Sequence, residues 1–157
     1  MKPTVYLLCG LPGSGKTTYA KKLEEQGAAR LTVDEEVFNR VGKNFNSESL
    51  DQHEKNIKEE YKERLRKEIQ ERRSVVLDYG FWKKSERDEY KQLAEELGGE
   101  WKLYFFDVPS DILKSRVVLR NENDSENNHV ISEELLERFI LGFEKPTDEG
   151  EEIITEA

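Results

Sequence analysis

Residues 10–17 read Gly10-Leu11-Pro12-Gly13-Ser14-Gly15-Lys16-Thr17, a complete G-x-x-x-x-G-K-[ST] pattern between an apolar run, Thr4 to Cys9, and a helix-compatible segment, Lys16 to Gln26. A strand that breaks into three glycines and re-forms at once as a helix is built to bring backbone amides against an anion. Gly10, Gly13 and Gly15 permit positive φ and close approach, so that successive N–H groups form a nest at a helix N-terminus. Lys16 carries a mobile ammonium to β- and γ-phosphates, Thr17 offers a hydroxyl to Mg2+, and Pro12 stiffens the turn. The pattern implies nucleotide binding, ATP or GTP with Mg2+. The expected contacts are Gly10, Pro12, Gly13, Ser14, Gly15, Lys16, Thr17 and Thr18. Alone, it does not separate a kinase from an NTPase switch.

The 157 residues suit one domain spanning 1–157, with seven Phe, six Tyr and two Trp available for a core. A net charge of −9 disfavours broad contact with a long nucleic acid, which relies on clustered Lys and Arg, although a short 5′ end can still enter a locally basic pocket. The single cysteine, Cys9, has no partner for an intrachain disulfide and is expected in the core. No apolar stretch reaches the roughly 20 residues of a membrane span, and the first apolar run lacks the length and cleavage pattern of a signal peptide. The expectation is a soluble cytoplasmic protein without a membrane partner. Nothing in the composition chooses between monomer and dimer.

Periodicity predicts strands at Thr4–Cys9, Ala29–Val33, Val75–Leu77, Lys102–Val108 and Glu151–Thr155. Helices are expected over Lys16–Gln26, a short stretch holding Val37, Phe38 and Val41, a long amphipathic one from Ser47 to Arg73, then Ser85–Leu97, Ser110–Arg120 and Ser132–Phe143. In the long helix Glu60/Arg64, Glu63/Lys67 and Glu68/Arg72 are four apart and read as weak ion pairs on a solvated face. Strand–helix alternation implies right-handed crossovers and a parallel sheet covered on both faces, an α/β fold with its chemistry at the carboxyl ends of the strands.

Several side chains fall at that end. Asp34, just after the second strand, can take the proton of an acceptor hydroxyl or orient it; it can equally cap the following helix. Asp78, at the end of the third strand, suits holding a magnesium-bound water, or serving as the base, and its structural alternative is a turn before Gly80. Arg116 and Arg120 lie one turn apart on a helix and, with the polar stretch Asn121 to His129, suggest a lid at about 116–131 that supplies planar donors to phosphate oxygens. Surface ion pairing is the rival reading. Phe81, Trp82 and Arg87 are candidates for an acceptor pocket, with core packing the alternative for Trp82. Phe143-Glu144-Lys145-Pro146 forms a turn where an adenine can stack, or which simply packs.

With these residues in place, the chain resembles the small P-loop kinases of the AAA-type ATP-binding group, which is similar to polynucleotide kinase, chloramphenicol phosphotransferase and zeta toxin kinases. The resemblance is carried by the loop at Gly10, V-D-E at Val33, V-V-L-D-Y-G-F-W at Val75 with Arg87 beyond, R-V-V-L-R-N at Arg116 and F-E-K-P-T-D-E-G at Phe143. It implies a P-loop NTPase fold like that of nucleoside monophosphate kinases, with five parallel strands in the order 2-3-1-4-5 and an arginine-bearing lid. It also implies that Asp34 matches the acceptor-activating aspartate. Polynucleotide kinases usually place an Arg soon after that Asp; here Glu35 and Glu36 follow and Arg40 is the first, which argues against a polyanionic acceptor. The resulting expectation is an ATP-dependent kinase acting on a hydroxyl of a small-molecule or nucleotide-type acceptor, with Lys16, Asp34, Arg116 and Arg120 catalytic and Thr17 and Asp78 at the metal. The alternatives are a nucleotide-dependent switch or binding module, and a 5′-hydroxyl polynucleotide kinase.

Overall fold

A computed structural model describes residues 2–41, 47–123 and 133–155, without the side chains of residues 34, 38, 41, 47–51 and 120–123. In chain order the elements are β1 (Thr4–Cys9), α1 (Lys16–Glu25), β2 (Ala29–Thr32), α2 (Val33–Val41), α3 (Ser47–Gln70), β3 (Val75–Gly80), α4 (Lys84–Glu96), β4 (Glu100–Phe106), α5 (Ser110–Asn123), α6 (Glu133–Gly142) and β5 (Glu151–Ile154). The strands form one parallel sheet in the order β2-β3-β1-β4-β5, as expected.

Period-two alternation in β1 sorts the core into two layers. Val5, Leu7 and Cys9 face one side with Leu31, Val75, Leu77, Leu103 and Phe105, covered by Leu65 and Ile69 of α3 and Tyr90 and Ala94 of α4. Leu8 faces the other with Val76, Tyr104 and Phe106, covered by Ala20 and Leu23 of α1. Register places Leu31, Leu77, Leu7 and Leu103 abreast across four strands, and each is at most 1% exposed. Burying side chains of this size contributes about 1.5–3 kcal/mol apiece before entropy is charged. Beyond the sheet, Val33 and Val37 of α2 pack on Ile57 of α3, and Val117 of α5 on Leu136 of α6.

Several boundaries differ from the sequence reading in ways that matter for the site. Strand β2 ends at Thr32 and α2 begins at Val33, one residue earlier than expected, so Asp34 follows the strand closely, in the first turn of the helix. Strand β3 runs through Asp78 to Gly80, with Asp78 paired to Thr32 and Gly80 to Cys9, because the aspartate is accommodated inside the sheet and does not terminate it. Of the expected lid, residues 116–123 continue α5, and 124–131 lie outside the described residues. The acids of α3 also choose other partners: Glu60 takes Arg40 of α2, Glu63 takes Arg66 and Glu68 takes Arg73.

Candidate functional site

The glycine-rich loop leaves β1 at Gly10, whose N–H donates to Gly80 O at 2.9 Å and ties the loop to the end of β3. A Cβ on Gly10 would stand 2.7 Å from Ser14 Oγ and 3.2 Å from Phe106 Cβ, so only glycine fits there. Gly15 takes φ +98 as the residue before α1 and aims the first amides of that helix into the loop.

Four polar groups converge here. Ser14 is 1% exposed and its Oγ has no hydrogen-bond partner among the described residues. Such an orphan costs about 1–3 kcal/mol unless something supplies the missing bond. Lys16 is buried and its Nζ donates to Leu11 O at 3.2 Å, folded back across the loop it would serve. Thr17, exposed at the start of α1, donates its hydroxyl to Asp78 Oδ2 at 2.9 Å, while Asp78 is 4% exposed. Thr18 is exposed on the same helix turn. The pairing of a hydroxyl with a carboxylate fits Mg2+, a hard ion that takes oxygen ligands and leaves its remaining positions to water and phosphate.

Helix α5 roofs the loop. Gly13, at φ +85, lies against Leu113 O and the side chains of Arg116 and Val117, and Arg116 Nη1 donates to Gly13 O at 3.0 Å. Arg116 is exposed and sits directly over the loop. The side chains of Asp34 and Arg120 lie outside the described residues; their backbones lie in the first turn of α2 and in the second half of α5.

The expected acceptor pocket needs correction. Phe81 is fully buried at φ +48, a left-handed conformation that costs a non-glycine residue about 1–3 kcal/mol and needs firm support. Arg87 provides that support and is itself fully buried. Its Nη1 donates to Phe81 O at 2.8 Å, and Nε and Nη2 donate to Glu149 Oε1 and Oε2 at 2.8 and 3.0 Å. Phe81 and Arg87 therefore line no open pocket: a guanidinium left unpaired under the sheet would be far too costly, and Glu149 engages it on both oxygens. Burial is the largest influence on Arg87 and disfavours its charge, but the hydrogen bonds and charge of Glu149, with the nearby Cys9 and Glu144, together raise its pKa; the same contact holds the Glu149 carboxyl below its ordinary range. Trp82 is half-buried, with its ring 4.5 Å from that of Phe139 in α6. Cys9 is inert packing: burial pushes its thiol up to about 12 against the pull of Arg87 and Lys16, and Sγ donates to Phe81 O at 3.3 Å.

The loop before β5 is fastened through its Phe143-Glu144 turn and through Lys91, which the sequence does not single out. Glu144 N–H donates to Trp82 O at 2.8 Å, and its carboxylate accepts from Lys84 N at 3.0 Å, capping α4. Lys91 Nζ donates to Glu149 O at 2.6 Å. Phe143 stacks on Phe105, with centroids 5.8 Å apart, so the turn packs on β4. A buried arginine calls for a carboxylate, but sequence spacing does not say which of the many acids provides it.

The chain matches the AAA domain over residues 5–146 and belongs to that family. No protein of curated function matches it in sequence. Among solved structures, a chain of the Pnkp1/Rnl/Hen1 RNA repair complex superposes with TM-score 0.71 at 20% identity, over 90% of this chain and 44% of that one. The chain thus spans less than half the length of that relative. Kti12 from Chaetomium thermophilum, in complex with ADP-AlF3, gives 0.67 at 17% identity over 96% and 88% of the two chains. A gluconokinase from Sinorhizobium meliloti 1021 gives 0.62 at 19% identity over 97% and 82%. At these identities the likeness is one of fold, that of a P-loop NTPase.

Proposed function

We propose that this P-loop chain is an ATP-dependent kinase that moves the γ-phosphoryl group of ATP to a hydroxyl of a small-molecule or nucleotide-type acceptor. The observation that carries the reading is the Thr17–Asp78 hydrogen bond at the foot of a loop whose buried Ser14 hydroxyl lacks a partner among the described residues. Phosphoryl transfer demands positioning and charge neutralisation more than covalent chemistry, and the loop supplies both. In this proposal Ser14 Oγ and the amides of Gly13 to Thr18 take phosphate oxygens. Lys16 exchanges Leu11 O for the β- and γ-phosphates. Thr17 and Asp78 hold Mg2+, which when bound neutralises the triphosphate. Arg116 releases Gly13 O to meet the transferring group, joined by Arg120, and Asp34 orients or deprotonates the acceptor hydroxyl. A cytoplasmic location belongs to the same proposal.

The family match and the kinase-like fold support this reading, and the acceptor class is left to the test because Glu35 and Glu36 beside Asp34 are each paired with an arginine, Arg30 and Arg40. The test is calorimetry with ATP and Mg2+, followed by ATP consumption against sugars, hydroxylated antibiotics, nucleosides and oligonucleotide 5′ ends. Acceptor-dependent ADP release supports the proposal. ATP hydrolysis that no acceptor accelerates would replace it with a nucleotide switch.

A further inference from the structure

We infer that Arg87 is a positioning residue for the nucleotide site, clamping the turn after β3, whose Gly80 carbonyl anchors the phosphate loop, to the loop before β5. The inference rests on the nucleotide-binding reading above.

The guanidinium reaches both segments at once, through Phe81 O on one side and both oxygens of Glu149 on the other. The neighbours of these contacts continue outward. Gly80 O receives the first amide of the phosphate loop, and Trp82 O receives Glu144 N. Phe81 sits between them in a left-handed conformation, which its surroundings must impose. The side chains of Arg87 and Glu149 are 1% and 5% exposed. A buried ion pair is a poor device for stability alone, because apolar side chains of similar volume often do as well. An apolar pair cannot hold the Phe81 carbonyl, where, among the described residues, the weak Sγ–H donor of Cys9 would remain. Stability and positioning are therefore separable by substitution.

The experiment uses the full chain carrying Arg87→Met with Glu149→Leu, its melting temperature, and a calorimetric titration with ADP and Mg2+. The expected result is a melting temperature near the parent's, binding stoichiometry near the parent's, and a Kd raised about tenfold or more by the loosened geometry. Damage to folding alone would lower stoichiometry and leave Kd in place, and that outcome overturns the inference, as does a parental Kd at full stoichiometry. If the double variant does not fold, Arg87→Lys carries the same readouts with the same outcomes, since an ammonium keeps the charge but cannot fork to Phe81 O and both Glu149 oxygens. An absence of ADP binding in the parent would instead remove the nucleotide-binding reading, and the inference with it.

Discussion

Thr17 Oγ1 and Asp78 Oδ2 lie 2.9 Å apart although 61 residues separate them in the chain, and the bond joins the first turn of α1 to the middle of β3. Parallel pairing of β3 with β1 and β2 brings the carboxylate under the loop, and the hydroxyl removes part of the cost of burying it.

Asp78→Asn keeps the shape of this contact and removes the charge. Affinity for ATP in the presence of Mg2+ is expected to fall about 10- to 100-fold, while affinity with the metal chelated stays at the parental value. Paired titrations with and without EDTA read the difference, and equal losses in both would take Asp78 out of the metal site.

Lys16→Ala and Asp34→Asn separate binding from acceptor chemistry. The lysine variant should lose about a hundredfold or more in ATP turnover, because it removes the cation nearest the transferring charge. The asparagine variant should bind ATP as the parent does and fail to phosphorylate an acceptor. Full activity in the second would shift the base role to Asp78.

Glu149→Ala leaves the Arg87 guanidinium buried without its carboxylate. Removing one partner of a buried pair costs about 3–5 kcal/mol, and thermal or urea unfolding should show a loss of that order. A change below about 1 kcal/mol, the size seen for surface pairs, would mean that water reaches the pair.

The same pair sets an acid limit. Arg87 depresses the folded-state pKa of Glu149, so its contribution to stability is fully present above the unfolded value, near the ordinary 4.5, and disappears as pH falls through the lowered folded value. The melting difference between the parent and Glu149→Gln should therefore be constant at neutral pH and shrink below about 4.5. A difference that grows on acidification would contradict the assigned sign.

Gly13→Ala isolates backbone strain from crowding. The nearest atoms to an added Cβ lie at 3.4–3.5 Å, ordinary contact distances, whereas φ is +85. The expected cost is about 1–2 kcal/mol from the left-handed conformation alone, measured by denaturant unfolding without nucleotide.

The phosphate loop and the alternation of strands and helices are legible because each rests on local pattern: glycine spacing, continuous apolar runs in buried strands, and helical periodicity; the strand order is legible only through the family resemblance. The β2–α2 junction is not, since α2 follows Thr32 directly and no turn residue marks the change. Asp78 looked like a strand end because a charge in a buried strand is normally expensive; its partner is distant in sequence. Arg87 reads as a pocket residue for the same reason, its carboxylate being 62 residues away. In α3 the four-residue spacing suggested pairs within the helix, yet Arg40 of the neighbouring helix took Glu60, a choice that only tertiary packing makes.

Cys9 is the chain's single cysteine, fully enclosed, with a thiol that stays protonated across the working range of maleimide chemistry. The unaltered protein is thus already a silent background for site-directed labelling: a dye or spin probe attached through a cysteine introduced on the outer face of α5 would report that helix alone, without first having to engineer the native sulfur away.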